Sequence, residues 1–260
     1  MEDCRDTLFK VLSCNEVWTD DDTGPCFDHR IVILRSGESY FFGRDARRKG
    51  DIEPTRLDLR QIPFIHFRAP FTTDLTIAPE RLLDSKDLYI KEPNLLSYGH
   101  ASPSEQQAYF EPQLQEVTVY EKLRLNPHPN IGIYHGCIVE NGLIKALCLE
   151  RYDRTLGDLV REGTLSHAQK EVYMNGIESG VAHLHTLGLV HGDINPSNIM
   201  VDSARNTTVL IDFDSCRPSG SPVGQKVGTP GWGLADHDDV AQSEHDLDAL
   251  QLIRRFLMGD

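Results

Sequence analysis

Ten residues, His191 to Met200, read HGDINPSNIM: a histidine, an aspartate, two asparagines and a proline set directly against the apolar run 199–201. Polar groups this close to an apolar strand are either turn formers or a reaction site. A second short strand, TVLIDF, follows the turn DSARNT and brings Asp212 into place fourteen residues after Asn198, which itself lies five after Asp193. Two short strands around a turn, with Asp193, Asn198 and Asp212 near their ends, are the tightest constraint in the chain. A carboxylate and an amide oxygen, each leaving a strand end, can meet on one hard cation such as Mg²⁺, which prefers oxygen ligands. A further carboxylate, Asp193, can take the proton of an attacking hydroxyl. The alternative makes the same residues caps and turn formers.

The rest of the chain changes character along its length. In HRIVILRSGESYFFGR (residues 29–44) two strands join at Ser36-Gly37. TDDDTGP (19–25) reads as a turn or link, and the basic cluster RDARRKGD (44–51) as a solvated loop. IPFIHFRAPF (62–71) alternates but carries Pro63 and Pro70, which restricts it to an edge strand. DLYIKEP is a short strand ended by proline; a helix follows, with Pro112 in the first turn of a new one. IGIYHGCIVE and GLIKALCLERY are joined by Asn141-Gly142, a strong hairpin signal. Residues 164–188 predict a long helix with Ile177, Val181, Leu184 and Leu187 on one face and Gly188 as its stop. A last helix spans about 243–258. A strand-rich part thus passes into a helix-rich part through ERYDRTL, which predicts two lobes with a ligand crevice between them.

Composition excludes several classes. The net charge is −14, from 40 acids against 26 bases, and non-specific binding to nucleic acid or an anionic membrane needs a basic face instead. No apolar run approaches the roughly 20 residues that span a bilayer, and MEDCRDTLFK is too acidic for a secretory signal. Six cysteines without a CxxC pair argue against a zinc site and for reduced thiols. The expectation is a cytoplasmic or nuclear protein with no nucleic-acid or membrane partner.

The order H-x-D-x-x-x-x-N and then D-F-x resembles the catalytic and metal-binding loops of the protein kinase-like fold. Other parts fall into register. Lys91 in LYIKEP sits where the kinase strand lysine sits, and Glu116 suits its ion-pair partner, with Glu111 and Glu121 as alternatives on the same stretch. PHPNI follows that helix, GTPGW (228–232) resembles the end of an activation segment, and Asp246 resembles the buried aspartate of the next helix. The likeness covers roughly residues 75–260 and is strongest to fungal kinase-like sequences. It implies an α+β, bilobal protein kinase-like fold with a strand-rich N-lobe and a helical, C-terminally shortened C-lobe. Residues 75–152 would be the N-lobe and 153–260 the C-lobe. Residues 1–74 would be an N-terminal extension with a hairpin, either an extra lid, a partner surface or the first strands of the N-lobe.

The resemblance further implies an ATP- and Mg²⁺-dependent phosphotransferase acting on a hydroxyl of a Ser/Thr protein substrate. Asp193, Lys91 and Glu116 would be catalytic; Asn198 and Asp212 would bind metal. Lys91, Leu149, Glu150, Tyr152 and Asn195 would contact the nucleotide, with adenine near 150–152. His191 is expected to pack in the core, and His183 and His185, two apart on a helix, face different ways without a metal.

Four departures keep two other readings open. Residues 76–87 contain no glycine, so either the Ser36-Gly37 hairpin covers the nucleotide or a glycine-rich lid is absent. Asn195 replaces a lysine, Asp214 replaces the glycine of D-F-G, and 14 residues follow Asp246. The second reading is a small-molecule hydroxyl kinase of the aminoglycoside type, which shares HGD-x-x-x-x-N. The third is a nucleotide-binding pseudokinase scaffold. Gly192 also stands where many kinases carry an arginine that receives an activation-segment phosphate. Activity is therefore expected not to require phosphate on Ser215, Ser219 or Ser221, unless Arg217 or Lys226 supplies the charge.

Overall fold

A computed structural model describes residues 9–21, 24–223, 228–232 and 240–259; Lys226 lies outside the described residues. The chain divides into two compact units, residues 1–70 with 93–111, and residues 71–92 with 112–260.

The first unit is an antiparallel sheet in the order β1 (Lys10–Asp21), β2 (Gly24–Ser36), β3 (Ser39–Asp45), β4 (Arg60–Ile62). The run Ile31, Val32, Ile33 and Leu34 is buried on both faces of β2, which requires cover above and below the sheet. Ile31 and Ile33 pack with Tyr40, Ile62, Phe67, Leu95 and Tyr98, so residues near 95 return to this core. Ser36 pairs with Ser39, and Gly37 takes the positive φ of 57° that this tight reversal needs. The 19–25 stretch is a strand pair, with Asp21 opposite Gly24, rather than a loose link; residues 22–23 lie outside the described set.

One expectation fails here. Residues 62–71 are not one edge strand: β4 stops at Ile62, and Pro63 leads into a single helical turn, α1 (Phe64–Phe67). Proline has no N–H to give a ladder, and the turn lets Phe64 and Phe67 stack edge to face at 5.9 Å, burying Phe67. The basic cluster at 44–51 is largely the exposed loop expected, but Asp45 within it is buried. Arg30 Nη2 lies 2.5 Å from Asp45 Oδ2, and Arg47 donates to both Asp45 oxygens and to Glu53 Oε1 at 2.9 Å. Burial alone would raise the Asp45 pKa; hydrogen bonds from Arg47 and Arg30 outweigh it and bring it to about 2. Helix α2 (Pro103–Gln107) closes this unit with a Ser102–Glu105 capping box.

The second unit begins with a three-stranded antiparallel sheet in the order β5 (Leu88–Lys91), β7 (Leu143–Glu150), β6 (Tyr134–Glu140). The reversal between β6 and β7 uses Asn141 at φ 53° and Gly142 at φ 76°, the two positive values that match strand twist. α3 (Glu111–Leu125) carries Pro112 in its first turn and buries Glu116, Val117, Val119, Tyr120 and Leu123. At Gly136 the segment 76–78 crosses β6: Ala78 N–H donates to Cys137 O, and Cys137 N–H to Thr76 O. A Cβ on Gly136, at φ 131°, would stand 2.5 Å from Ala78 N.

The helical part contains β8 (Arg154–Thr155), α4 (Leu156–Glu162), α5 (His167–Thr186), β9 (Leu189–Val190), β10 (Ile199–Asp202), β11 (Thr207–Leu210), β12 (Arg217–Pro218) and α6 (Ser243–Met258). α5 starts three residues later than its apolar pattern, because Ser166 and Gln169 form a capping box there. Ile177, Val181 and Leu184 are buried, while Leu187 lies beyond the last turn and is only half-buried. β10 and β11 pair antiparallel around the 203–206 turn, with β8 on the outer side of β10. Among the described residues no helix is long and apolar enough to cross a membrane.

Two outcomes follow from this packing. Gly136→Ala meets backbone rather than a yielding side chain, so a loss of roughly 2–4 kcal/mol in denaturant unfolding is expected. Asp45, with a depressed folded pKa, contributes stability that is complete above about 3.8 and lost as pH falls through about 2. Asp45→Asn should flatten that acid limb of the stability–pH curve, and an unchanged limb would refute the assignment.

Candidate active site

Lys91 ends β5, and pairing with Leu147 on β7 fixes the direction of its side chain. Its ammonium donates to Glu116 Oε1 at 2.6 Å and to Asp212 Oδ1 at 2.8 Å. Burial alone would lower the Lys91 pKa, but the two carboxylates hold the ammonium well above its ordinary value. Burial pushes the Glu116 carboxyl up, with the Lys91 charge working against it. The other two glutamates are placed elsewhere. Glu111 is exposed in the first turn of α3. Glu121 accepts from Thr76 N at 2.6 Å, Thr76 Oγ1 at 2.9 Å and Tyr134 Oη at 3.1 Å, tying down the strand entry.

Asp212 follows β11 at φ 64°, a left-handed conformation rare for a residue with a Cβ. That kink drives the next side chain inward: Phe213 is fully buried, 5.1 Å edge-on from Tyr120 and 5.2 Å from His191. His191 lies in the core, its Nε2 3.2 Å from Ile211 O and its Nδ1 accepting from Asp193 N. Asp246, almost wholly buried, accepts from the amides of His191 at 2.8 Å and Gly192 at 3.0 Å, and holds His185 at 2.9 Å. α6 thus pins the loop from below. Gly192 sits at φ 74° with Ser215 O close to where a Cβ would be, so the position suits glycine for backbone reasons.

The Asp193 carboxylate is buried and fully engaged. Oδ1 accepts from Thr229 N at 2.7 Å and Asn195 Nδ2 at 3.0 Å; Oδ2 accepts from Asn198 Nδ2 at 3.0 Å. Asn195 Nδ2 also reaches Thr229 Oγ1 at 3.1 Å, and its Oδ1 accepts from Ser197 N. Asn198 turns its amide nitrogen to Asp193, donating to the backbone oxygen as well at 2.9 Å. Its Oδ1 therefore points elsewhere as a neutral hard donor. Downstream, Trp232 of GTPGW meets Phe256 of α6 edge-on at 5.6 Å.

A cavity of about 410 Å³ is lined by Lys91, Leu149, Glu150, Tyr152, Asn198 and Asp212 from the sequence-derived set. Asp193, Glu116 and Asn195 stand behind this wall rather than in it. Asn195 in particular is turned to Asp193 and Thr229, not toward a nucleotide in the cavity, because its amide is spent on those bonds. Tyr89, Tyr120, Ile133, Met200 and Ile211 add further apolar lining that the sequence reading did not single out. Tyr89 alone carried a signal, since it lies two residues before Lys91 and shares its strand face. Glu150 is held by His135 Nε2 at 2.9 Å, and burial raises the Tyr152 hydroxyl to about 12.

Comparison with known proteins gives this geometry a family. The protein kinase domain family matches residues 97–234, just over half of the chain. The chain belongs to that family, and its α+β protein kinase fold goes with it. It is 30% identical over 141 residues to the serine/threonine-protein kinase/endoribonuclease IRE1 of Hypocrea jecorina, covering 47% of this chain and 11% of that protein. It is 33% identical over 112 residues to the human MAPK/MAK/MRK overlapping kinase, 41% of this chain and 26% of that one. The dual serine/threonine and tyrosine protein kinase of Gallus gallus is 29% identical over 112 residues, 41% of this chain and 12% of the relative. The chain thus spans about a quarter or less of the length of these curated relatives.

The buried Glu116 and the half-buried Glu121 of α3 should separate in experiment. Glu121→Gln should cost roughly 1–3 kcal/mol of stability, through weakened bonds to Thr76, with little effect on nucleotide affinity. Glu116→Gln should instead weaken ATP affinity several-fold, measured by titration calorimetry with Mg²⁺.

Proposed function

We propose that the chain is an ATP- and Mg²⁺-dependent kinase that transfers the γ-phosphoryl group to a serine or threonine hydroxyl of a protein. The observation that carries this reading is Lys91, bonded at once to Glu116 and Asp212 on the wall of a cavity that also presents Asn198. Such a cation, held by two carboxylates, is preset to meet phosphate oxygens where it would otherwise be disordered. Leu149, Glu150 and Tyr152, beside apolar Ile133 and Met200, offer a slot for a flat base.

The donor set suits a hard cation: Asp212 and Asn198, both lining the cavity, carry a carboxylate and an amide oxygen. Mg²⁺ held by Asn198 and Asp212 would neutralise phosphate charge. The acceptor oxygen forms its bond to the γ-phosphorus as the bond to the β–γ bridging oxygen breaks, and ADP leaves. Asp193 orients that hydroxyl and takes its proton, once a carboxylate oxygen is released from its present donors. A chain of this composition and cysteine usage fits an intracellular setting.

One observation favours a second reading, a nucleotide-binding scaffold without transfer. Both Asp193 oxygens are occupied by Asn195, Asn198 and the Thr229 amide. Turnover separates the two readings: ADP release with a protein substrate supports the first, and ATP binding without turnover supports the second.

Asp212→Asn is expected to abolish the Mg²⁺-dependent thermal shift given by ATP, since a neutral amide binds a hard dication poorly. An unchanged shift and unchanged turnover would exclude Asp212 as a ligand. Lys91→Met should leave circular dichroism intact while cutting ATP affinity or turnover at least about tenfold. A folded variant with full activity would assign the phosphate contact to another cation.

A further inference from the structure

Side chains from one turn of α3 grip the rest of the second unit on two sides. Gln113 donates its amide to Ile144 O on β7 at 3.1 Å, and Glu116 accepts from Lys91 on β5 at 2.6 Å. Gln115 reaches the other way and donates from Nε2 to Cys216 O at 2.9 Å. Successive helical residues project about 100° apart, so Gln113 and Glu116 lie about 60° apart and face the sheet together. Gln115 projects about 100° from Glu116 and about 160° from Gln113. The sheet contacts hold one side of the helix, and Gln115 holds another.

The oxygen that receives Gln115 belongs to a fixed turn. Cys216 is fully buried, and its amide donates to Phe213 O at 3.1 Å, closing the turn 213–216 directly after Asp212. Arg217 Nη1 donates to Cys216 O and to Asp214 O, both at 2.8 Å, and Arg217 itself pairs with Val190 of β9. The contacts form a closed ring. Lys91 bonds Glu116 and Asp212, Gln115 is the neighbour of Glu116, and Cys216 lies in the turn that Asp212 enters.

We propose that Gln115 is a positioning residue that fixes the rotation of α3 against the turn 213–216, so that Glu116 is the glutamate that meets Lys91. The rotation of α3 then follows the conformation of that turn, and nucleotide binding at Lys91 is coupled to it through one amide hydrogen bond. The effect on ATP rests on the kinase reading given above, whereas the hold on α3 does not.

Four forms of the full 260-residue chain test this: wild type, Gln115→Met, Glu116→Gln and the double variant. Methionine keeps the length and removes the donor, while Cys216 O retains Arg217, so no buried acceptor is stranded. In titration calorimetry with ATP and Mg²⁺, Gln115→Met should weaken binding about 3–5-fold, the loss expected for one hydrogen bond. In the Glu116→Gln background the same substitution should cost less than about 1.5-fold, because the pair it positions is already gone. Hydrogen exchange in Gln115→Met should quicken in peptides 111–125 and 213–217 and stay unchanged in 134–150. Additive losses across the two substitutions overturn the proposal. So does a lowered unfolding midpoint with unchanged ATP affinity, which is the mark of a purely structural contact. A wild-type chain that binds no ATP refutes the kinase reading alone; hydrogen exchange then decides the clamp, and an unchanged 213–217 peptide in Gln115→Met overturns it.

Discussion

One ammonium joins the parts of the second unit that carry chemistry. Lys91 belongs to the sheet, Glu116 to α3 and Asp212 to the loop after β11, and its two hydrogen bonds tie all three together. Placing a cation in this partly buried setting is tolerable only because two carboxylates meet it, and those carboxylates in turn need the cation. The pairing explains the left-handed backbone at Asp212, since that kink brings its carboxylate to Lys91 while Phe213 enters the core. Remove the lysine and two acids face one another without compensation.

A second anchor works from the opposite side. Asp246 on α6 takes up the amides of His191 and Gly192 as well as His185, so the loop carrying Asp193 is held by its backbone and not only by its side chains. Asp193 then collects Asn195, Asn198 and Thr229 around itself. Asn195 emerges as a tether between this carboxylate and the 228–232 segment, a role for an amide that a point-charge lysine would fill differently. Gly192 and Gly228 make that closeness possible: a Cβ on Gly228 would stand 2.4 Å from Gly192 O.

Among the described residues after Asp212, Ser215 and Arg217 are engaged within the chain, while Ser219 is exposed. Ser215 is buried and donates to Asp214 Oδ1 at 3.3 Å, while Arg217 gives its guanidinium to the backbone oxygens of Asp214 and Cys216. Gly192 offers no donor side chain to a phosphate at this place.

Much of this was legible in the order of residues. The Asn141-Gly142 and Ser36-Gly37 reversals, the helix of residues 243–258 and the strand pair around 203–206 follow from local turn chemistry and apolar period, which act over a few residues. The five- and fourteen-residue spacings drew attention to Asp193, Asn198 and Asp212; in the fold Asn198 bonds Asp193 and lines one cavity with Asp212. Which glutamate meets Lys91 did not follow, because Glu111, Glu116 and Glu121 share one helix and only its rotation against the sheet selects among them. The same holds for the turn at 64–67, where aromatic burial overrode strand alternation, and for Asn195, whose partner lies 34 residues away. Sequence alone determined the local elements and the presence of a site, since backbone preference is a short-range property. Tertiary structure decided which charges touch, because burial and distance are settled only when remote segments pack together.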